Sequence, residues 1–139
     1  MVANRIKRYE LLVADDDAEF RRMLRLVLEP HVELFEAECG EEAVEIVRTR
    51  EVDLVLVDMH MRALSGLDTL RLVKTLRAAL PCILMTANPT VEIRQRAALE
   101  NAFTVLKKPM TRRLLLSTVS GALKSAYDDP ELGDWLTRG

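Results

Sequence analysis

Apolar runs of four or five residues recur along the chain with stretches of helical periodicity between them. A parallel sheet covered on both faces requires this alternation. Five such units can be counted. The first strand is Glu10-Leu11-Leu12-Val13-Ala14. Asp17 then caps a helix over Ala18–Leu28, with Phe20, Met23, Leu24, Val27 and Leu28 on one face. After Pro30-His31, residues 32–37 read as a second strand of weaker alternation, which belongs at a sheet edge. A short helix over 41–48 follows Gly40, and Asp53-Leu54-Val55-Leu56-Val57 is a fully apolar third strand ending at Asp58, so it should be central. Ser65-Gly66 opens a third helix over 67–80, which Pro81 stops before a strand over 82–85. Asn88-Pro89-Thr90 is a turn and cap before a helix over 91–101, and residues 102–106 form the fifth strand. Thr111 caps a last helix running to Tyr127.

Parallel strands joined by helices cross over right-handed in nearly all cases, so this order gives a doubly wound (βα)5 α/β sheet. By analogy with flavodoxin-like sheets, the expected strand order is 2-1-3-4-5. The chain has 139 residues, of which 49 % are hydrophobic, enough for one domain with its own core. That domain is expected over 1–127, with 128–139, including the single Trp135, as a tail or the start of a linker.

Composition narrows the function classes. No apolar run approaches the roughly 20 residues of a membrane span or the roughly 7 to 15 of a signal peptide's apolar stretch, so a soluble, cytoplasmic protein with no membrane partner is expected. Cys39 and Cys82 lack metal-ligand spacing and sit beside apolar residues, which suggests buried, reduced thiols. A net charge of −2 with one Trp, two Tyr and three Phe offers neither a basic face nor a stacking platform, so direct nucleic-acid binding by this domain is not expected.

In open α/β sheets ligands bind beyond the carboxyl ends of the strands. Strand one ends in Asp15-Asp16-Asp17, strand three in Asp58 and strand four in Thr86, while strand five runs into Lys107-Lys108-Pro109; only strand two offers no recognisable group. Neighbouring strands lie about 4.8 Å apart, so Asp58 should face the Asp15-Asp16 pair at contact range. Two unit charges about 5 Å apart repel by roughly 3 kcal/mol at an effective dielectric of 20. Such a cluster needs a cation, and an oxygen-only site with open positions suits Mg²⁺. A metal-bound acidic cluster, a hydroxyl at Thr86 and an ammonium at Lys108 are the parts for phosphoryl transfer with Asp58 as the nucleophile. Lys108 and Thr86 are expected across the site from Asp15 and Asp16.

At these residues the chain resembles the receiver domain of two-component response regulators, over about 7–127. The resemblance rests on Asp15-Asp16 after strand one, Asp58-Met59-His60-Met61 after strand three, Ser65-Gly66-Leu67, Ile83-Leu84-Met85-Thr86-Ala87 and Lys108-Pro109, in the right order and spacing. It implies that Asp58 accepts a phosphoryl group from a histidine kinase or phosphotransfer protein and that the domain then switches its partner or output-domain interactions. It further implies that Asp16 binds Mg²⁺ directly, Asp15 binds it through water, and Asp58 and the Met59 carbonyl complete the protein ligands. The Thr86 hydroxyl and the Ala87 amide would hold phosphoryl oxygens, and Lys108, before the proline of a cis peptide, would pair with the phosphate. Such a domain promotes its own dephosphorylation without being a turnover enzyme. Homodimerisation through helix four, strand five and helix five is plausible by the same analogy.

Three positions depart from the family pattern. Arg62 replaces a usual Pro, Asn101-Ala102 replaces Gly-Ala, and Val105 stands at the switch position where relatives carry a Tyr or Phe. Val has no comparable inward and outward rotamers, so the expected readout passes through helix four and the loop after Thr86. Two other readings compete. An Mg²⁺-dependent phosphatase of the haloacid-dehalogenase type would also use Asp15-Asp16-Asp17, but its second acidic cluster falls after the Thr and Lys. A phosphorylation-independent interaction module would explain Val105 and Arg62, but not the complete acidic site.

Overall fold

The computed structural model describes residues 8–129 and Leu132. Of the tail, residues 130–131 and 133–139, Trp135 among them, lie outside the described residues. Five strands alternate with five helices: β1 (Glu10–Ala14), α1 (Ala18–Leu28), β2 (Glu33–Ala37), α2 (Gly40–Thr49), β3 (Leu54–Asp58), α3 (Gly66–Leu76), β4 (Cys82–Thr86), α4 (Val91–Leu99), β5 (Thr104–Lys107) and α5 (Arg112–Tyr127). All strand pairs are parallel, and the order is β2-β1-β3-β4-β5. The weakly alternating β2 is an edge, and the fully apolar β3 is the centre.

Successive side chains of a strand point to opposite faces, and the sheet sorts its apolar residues accordingly. Leu11, Val13, Leu54, Leu56, Ile83, Met85 and Leu106 pack against Leu24 and Leu28 of α1 and Leu115, Leu116, Val119 and Leu123 of α5. Leu12, Ala14, Val55, Val57, Leu84 and Val105 pack on the other face against Ala43 and Val47 of α2, Leu67, Leu70 and Val73 of α3 and Ala97 of α4. Leu132 is buried on the α1 and α5 side, where its carbonyl accepts from Ser120 Oγ at 2.9 Å.

Several element ends differ from the sequence expectation. α3 stops at Leu76 rather than residue 80, because Arg77 turns into an extended conformation (φ −144°, ψ 91°), and the Lys74 and Arg77 side chains bond carbonyls of the irregular chain nearby. Lys74 donates to the Leu80 carbonyl at 2.7 Å, and Arg77 donates to those of Arg50 at 2.9 Å and Val52 at 3.2 Å. Leu80 is buried all the same, from irregular chain. α4 ends at Leu99 because Asn101 adopts a left-handed conformation with φ of 62°, which asparagine tolerates better than most residues. β5 consequently begins at Thr104 rather than residue 102. β2 begins one residue late, since the Val32 amide still donates to the Leu28 carbonyl. Cys39 and Cys82 are both free. Burial pushes the Cys82 thiol up to about 12, whereas Cys39 is only half-buried at the start of α2. No helix among the described residues is long and apolar enough to cross a membrane.

Candidate functional site

The register of the sheet brings the acidic residues together. Ala14 pairs with Val57, so the next residue of each strand, Asp15 and Asp58, stand level at the carboxyl edge. The Asp15 amide continues the ladder to the Ala37 carbonyl at 3.0 Å, and the Met59 amide does so to that of Met85 at 2.8 Å. Asp15 is fully buried, Asp58 is 5 % exposed, and Asp16 faces solvent. One carboxylate oxygen from each of the three lies within 4.8 Å of the others. The remaining carboxylate of the triplet, Asp17, caps α1 by accepting from the Glu19 and Phe20 amides.

Lys108 sits among these acids. Its Nζ donates to Asp15 Oδ2 and to Asp58 Oδ1, both at 2.9 Å, so it lies on the same side as Asp15 and not across the site from it. Strand alternation is the reason: Asp15, Asp58 and Lys108 each follow by two a residue on the α1 and α5 face (Val13, Leu56 and Leu106), whereas Thr86 follows Leu84 on the other. Lys107 points to solvent. The cis Lys108-Pro109 peptide lies just beyond β5, and the Lys108 amide donates to the Thr86 carbonyl at 2.8 Å.

Burial raises the Asp58 carboxyl above its ordinary range and the Asp15 charge adds to this, which Lys108 only partly opposes. For Lys108, burial works against the ammonium, but the bonds to Asp58 and Asp15 outweigh it and the pKa is raised. Three carboxylates against one ammonium leave an excess of negative charge in a largely buried, oxygen-only pocket. That donor set fits a hard divalent cation such as Mg²⁺.

The other expected residues lie on β4, β5 and the loops after β3 and β4. Thr86 is fully buried, and its Oγ1 accepts the Asn88 amide at 3.1 Å, leaving its own O–H to donate. Ala87 and His60 are exposed at the rim, and the His60 amide donates to Asp58 Oδ2 at 3.1 Å. The Met59 carbonyl accepts the Gly66 amide at 2.8 Å, which uses one of its two lone pairs. Only glycine fits at 66: a Cβ there would stand 2.4 Å from the Asp58 carbonyl oxygen and 2.6 Å from Met59 Cα. Val105 is buried on the α4 face and borders a cleft of about 150 Å³ between α4 and β5, lined also by Arg94, Ala97, Ala98 and Phe103.

Sequence reasoning missed three residues that reach the centre indirectly. The Phe20 ring lies beneath Lys108, with Nζ 4.2 Å from its centroid. Arg21 donates from Nη1 to the Asp15 carbonyl at 2.6 Å and from Nε to Glu36 Oε1 at 2.8 Å. Glu36 also binds Arg25, so β2 does contribute a group, through α1. Burial would raise the Glu36 carboxyl, but Arg25 and Arg21 more than reverse this and hold it below its usual range.

The family profile described as the response regulator receiver domain matches residues 11–120. The chain belongs to that family. The transcriptional regulatory protein ZraR of Escherichia coli O157:H7 is 37 % identical over 121 residues, which cover 85 % of this chain but 27 % of that protein. This receiver domain thus spans about a quarter of the length of that curated relative. Among solved structures, the signal receiver domain of an HD domain-containing protein from Pseudomonas fluorescens Pf-5 superposes with a TM-score of 0.83 at 26 % identity, covering 88 % of this chain and all of that one (100 %). The CheY of a CheX-CheY-BeF3-Mg complex from Borrelia burgdorferi shares the fold, with a TM-score of 0.78 at 21 % identity over 81 % of this chain and 87 % of that one. The protein is thus a receiver domain of a two-component response regulator, a class not typically acting as turnover enzymes. The phosphatase and phosphorylation-independent readings find no support in these relatives.

Proposed function

We propose that this receiver domain takes its phosphoryl group on Asp58, from the phosphorylated imidazole of a histidine kinase or phosphotransfer protein. An Asp58 carboxylate oxygen attacks phosphorus, the donor's N–P bond breaks and the electron pair leaves with the imidazole, giving an acyl phosphate. The observation that carries this reading is the convergence of Asp15, Asp16 and Asp58 on one point, with Lys108 bonded to two of them.

Asp15, Asp16, Asp58 and the free lone pair of the Met59 carbonyl would hold Mg²⁺, with the exposed Asp16 a direct ligand and the buried Asp15 acting through water. The bound ion would supply charge neutralisation for the phosphoryl oxygens. Lys108 already stands 2.9 Å from Asp58 Oδ1 and is placed to pair with a phosphoryl oxygen bonded there. Thr86 and the Ala87 amide would hold further oxygens from the opposite face of the sheet. The same groups would support attack by water on the acyl phosphate, so the domain would return to its resting state without a separate enzyme. Binding partners would read the change at α4, β5 and α5, where Val91, Leu99 and Leu114 are exposed apolar side chains that a second copy or an output domain could bury.

Incubation with acetyl phosphate and Mg²⁺ should add one phosphoryl group to the wild type, seen by intact-mass spectrometry, and none to Asp58→Asn. An adduct on Asp58→Asn, or none on the wild type, overturns the assignment.

A further inference from the structure

Lys108 is held by more than its acidic partners. Its ammonium has three N–H donors; two go to Asp15 Oδ2 and Asp58 Oδ1, and its remaining side faces the Phe20 ring at 4.2 Å from the centroid. Phe20 lies in the first turn of α1, partly buried and packed against the apolar layer that includes Leu24 and Leu28, so its ring is fixed from behind. The Lys108 side chain is 17 % exposed, which makes a cation over a ring face stronger than at an open surface.

The two acids are poor holders at the moment they are needed. Once a divalent cation draws on Asp15 and a phosphoryl group masks an oxygen of Asp58, both partners of the ammonium are weakened. The ring face is the one contact that this chemistry does not alter. We infer that Phe20 is a positioning residue, whose ring keeps the Lys108 ammonium beside Asp58 while the phosphoryl group is transferred. This rests on Asp58 being the acceptor, and it assigns to α1 a part in the reaction besides packing.

The test compares Phe20→Leu, which keeps an apolar side chain but removes the ring, with Phe20→Tyr, which restores it. Labelling of Phe20→Leu by acetyl phosphate in saturating Mg²⁺ should slow about fivefold or more, and Phe20→Tyr should recover the wild-type rate. Met23→Ala, which loosens the same helix without touching Lys108, should label at the wild-type rate. A second readout needs no phosphorylation: protons above a ring face are shifted upfield, so the Lys108 ε-methylene resonance should move downfield in Phe20→Leu and stay in place in Phe20→Tyr. An unmoved resonance, a folded Phe20→Leu labelled at the wild-type rate, or a Met23→Ala slowed equally overturns the inference. A wild type that takes no label while the resonance moves as expected instead overturns Asp58 as acceptor and leaves the ring contact established.

Discussion

Asp58 carries a charge that its surroundings resist. Burial first, and the neighbouring Asp15 next, raise its carboxyl pKa in the folded state despite Lys108. A folded pKa above the unfolded one means that ionisation costs stability: the cost is absent below the unfolded value, grows between the two and is full above the folded value. Metal-free Asp58→Asn should therefore melt higher than the wild type at neutral pH, by the equivalent of about 1 kcal/mol, and the difference should shrink as pH falls through the carboxylate range. Thermal melts in chelator across pH would check this; a difference that is absent at neutral pH or grows in acid contradicts it. The convergence of Asp15, Asp16, Asp58 and Lys108 was legible because each ends or follows a strand in a sheet whose ligands bind at that edge. The side on which Lys108 stands was also written in the chain, in the two-residue steps from Val13, Leu56 and Leu106, but chemistry was weighed there before periodicity. Phe20, Arg21 and Glu36 were not legible as parts of the site. They sit inside elements and reach the centre only through tertiary packing.

Among the elements, strands were easier to place than helix ends. Apolar runs fix where a strand must be, whereas a helix stops where the backbone turns away, at Arg77 into an extended conformation and at Asn101 into a left-handed one, which the apolar pattern does not announce. The start of α3 is the exception, since Ser65 caps it by accepting the Asp68 amide and Gly66 permits it to abut the end of β3. Because a Cβ at 66 would collide with backbone on both Asp58 and Met59, the helix would have to withdraw and carry the Met59 carbonyl with it. Gly66→Ala should cost about 2–4 kcal/mol in denaturant melts and slow labelling of Asp58 even where the protein remains folded. Unchanged stability and rate would show that the junction has slack. Val105 borders an open cleft of about 150 Å³ that Arg94, Ala97, Ala98, Ala102, Phe103 and Thr104 also line.

At the scale of the whole molecule, two apolar layers lie on opposite faces of one sheet. Asp15, Asp58 and Lys108 belong to the side of α1 and α5, and Thr86 belongs to the side of α3 and α4. On the proposed function, a phosphoryl group on Asp58 that engages both Lys108 and Thr86 would rivet the two layers at the carboxyl edge of the sheet. Its arrival should register in amide spectra of all four helices, and Thr86→Ala should keep the response of α1 and α5 while muting that of α3 and α4. A response confined to one layer in the wild type would show that the rivet does not pass through the sheet. Where it does pass through, the message is delivered to both exteriors of the protein at once, so a listener on either side hears it without the need for relay across the core.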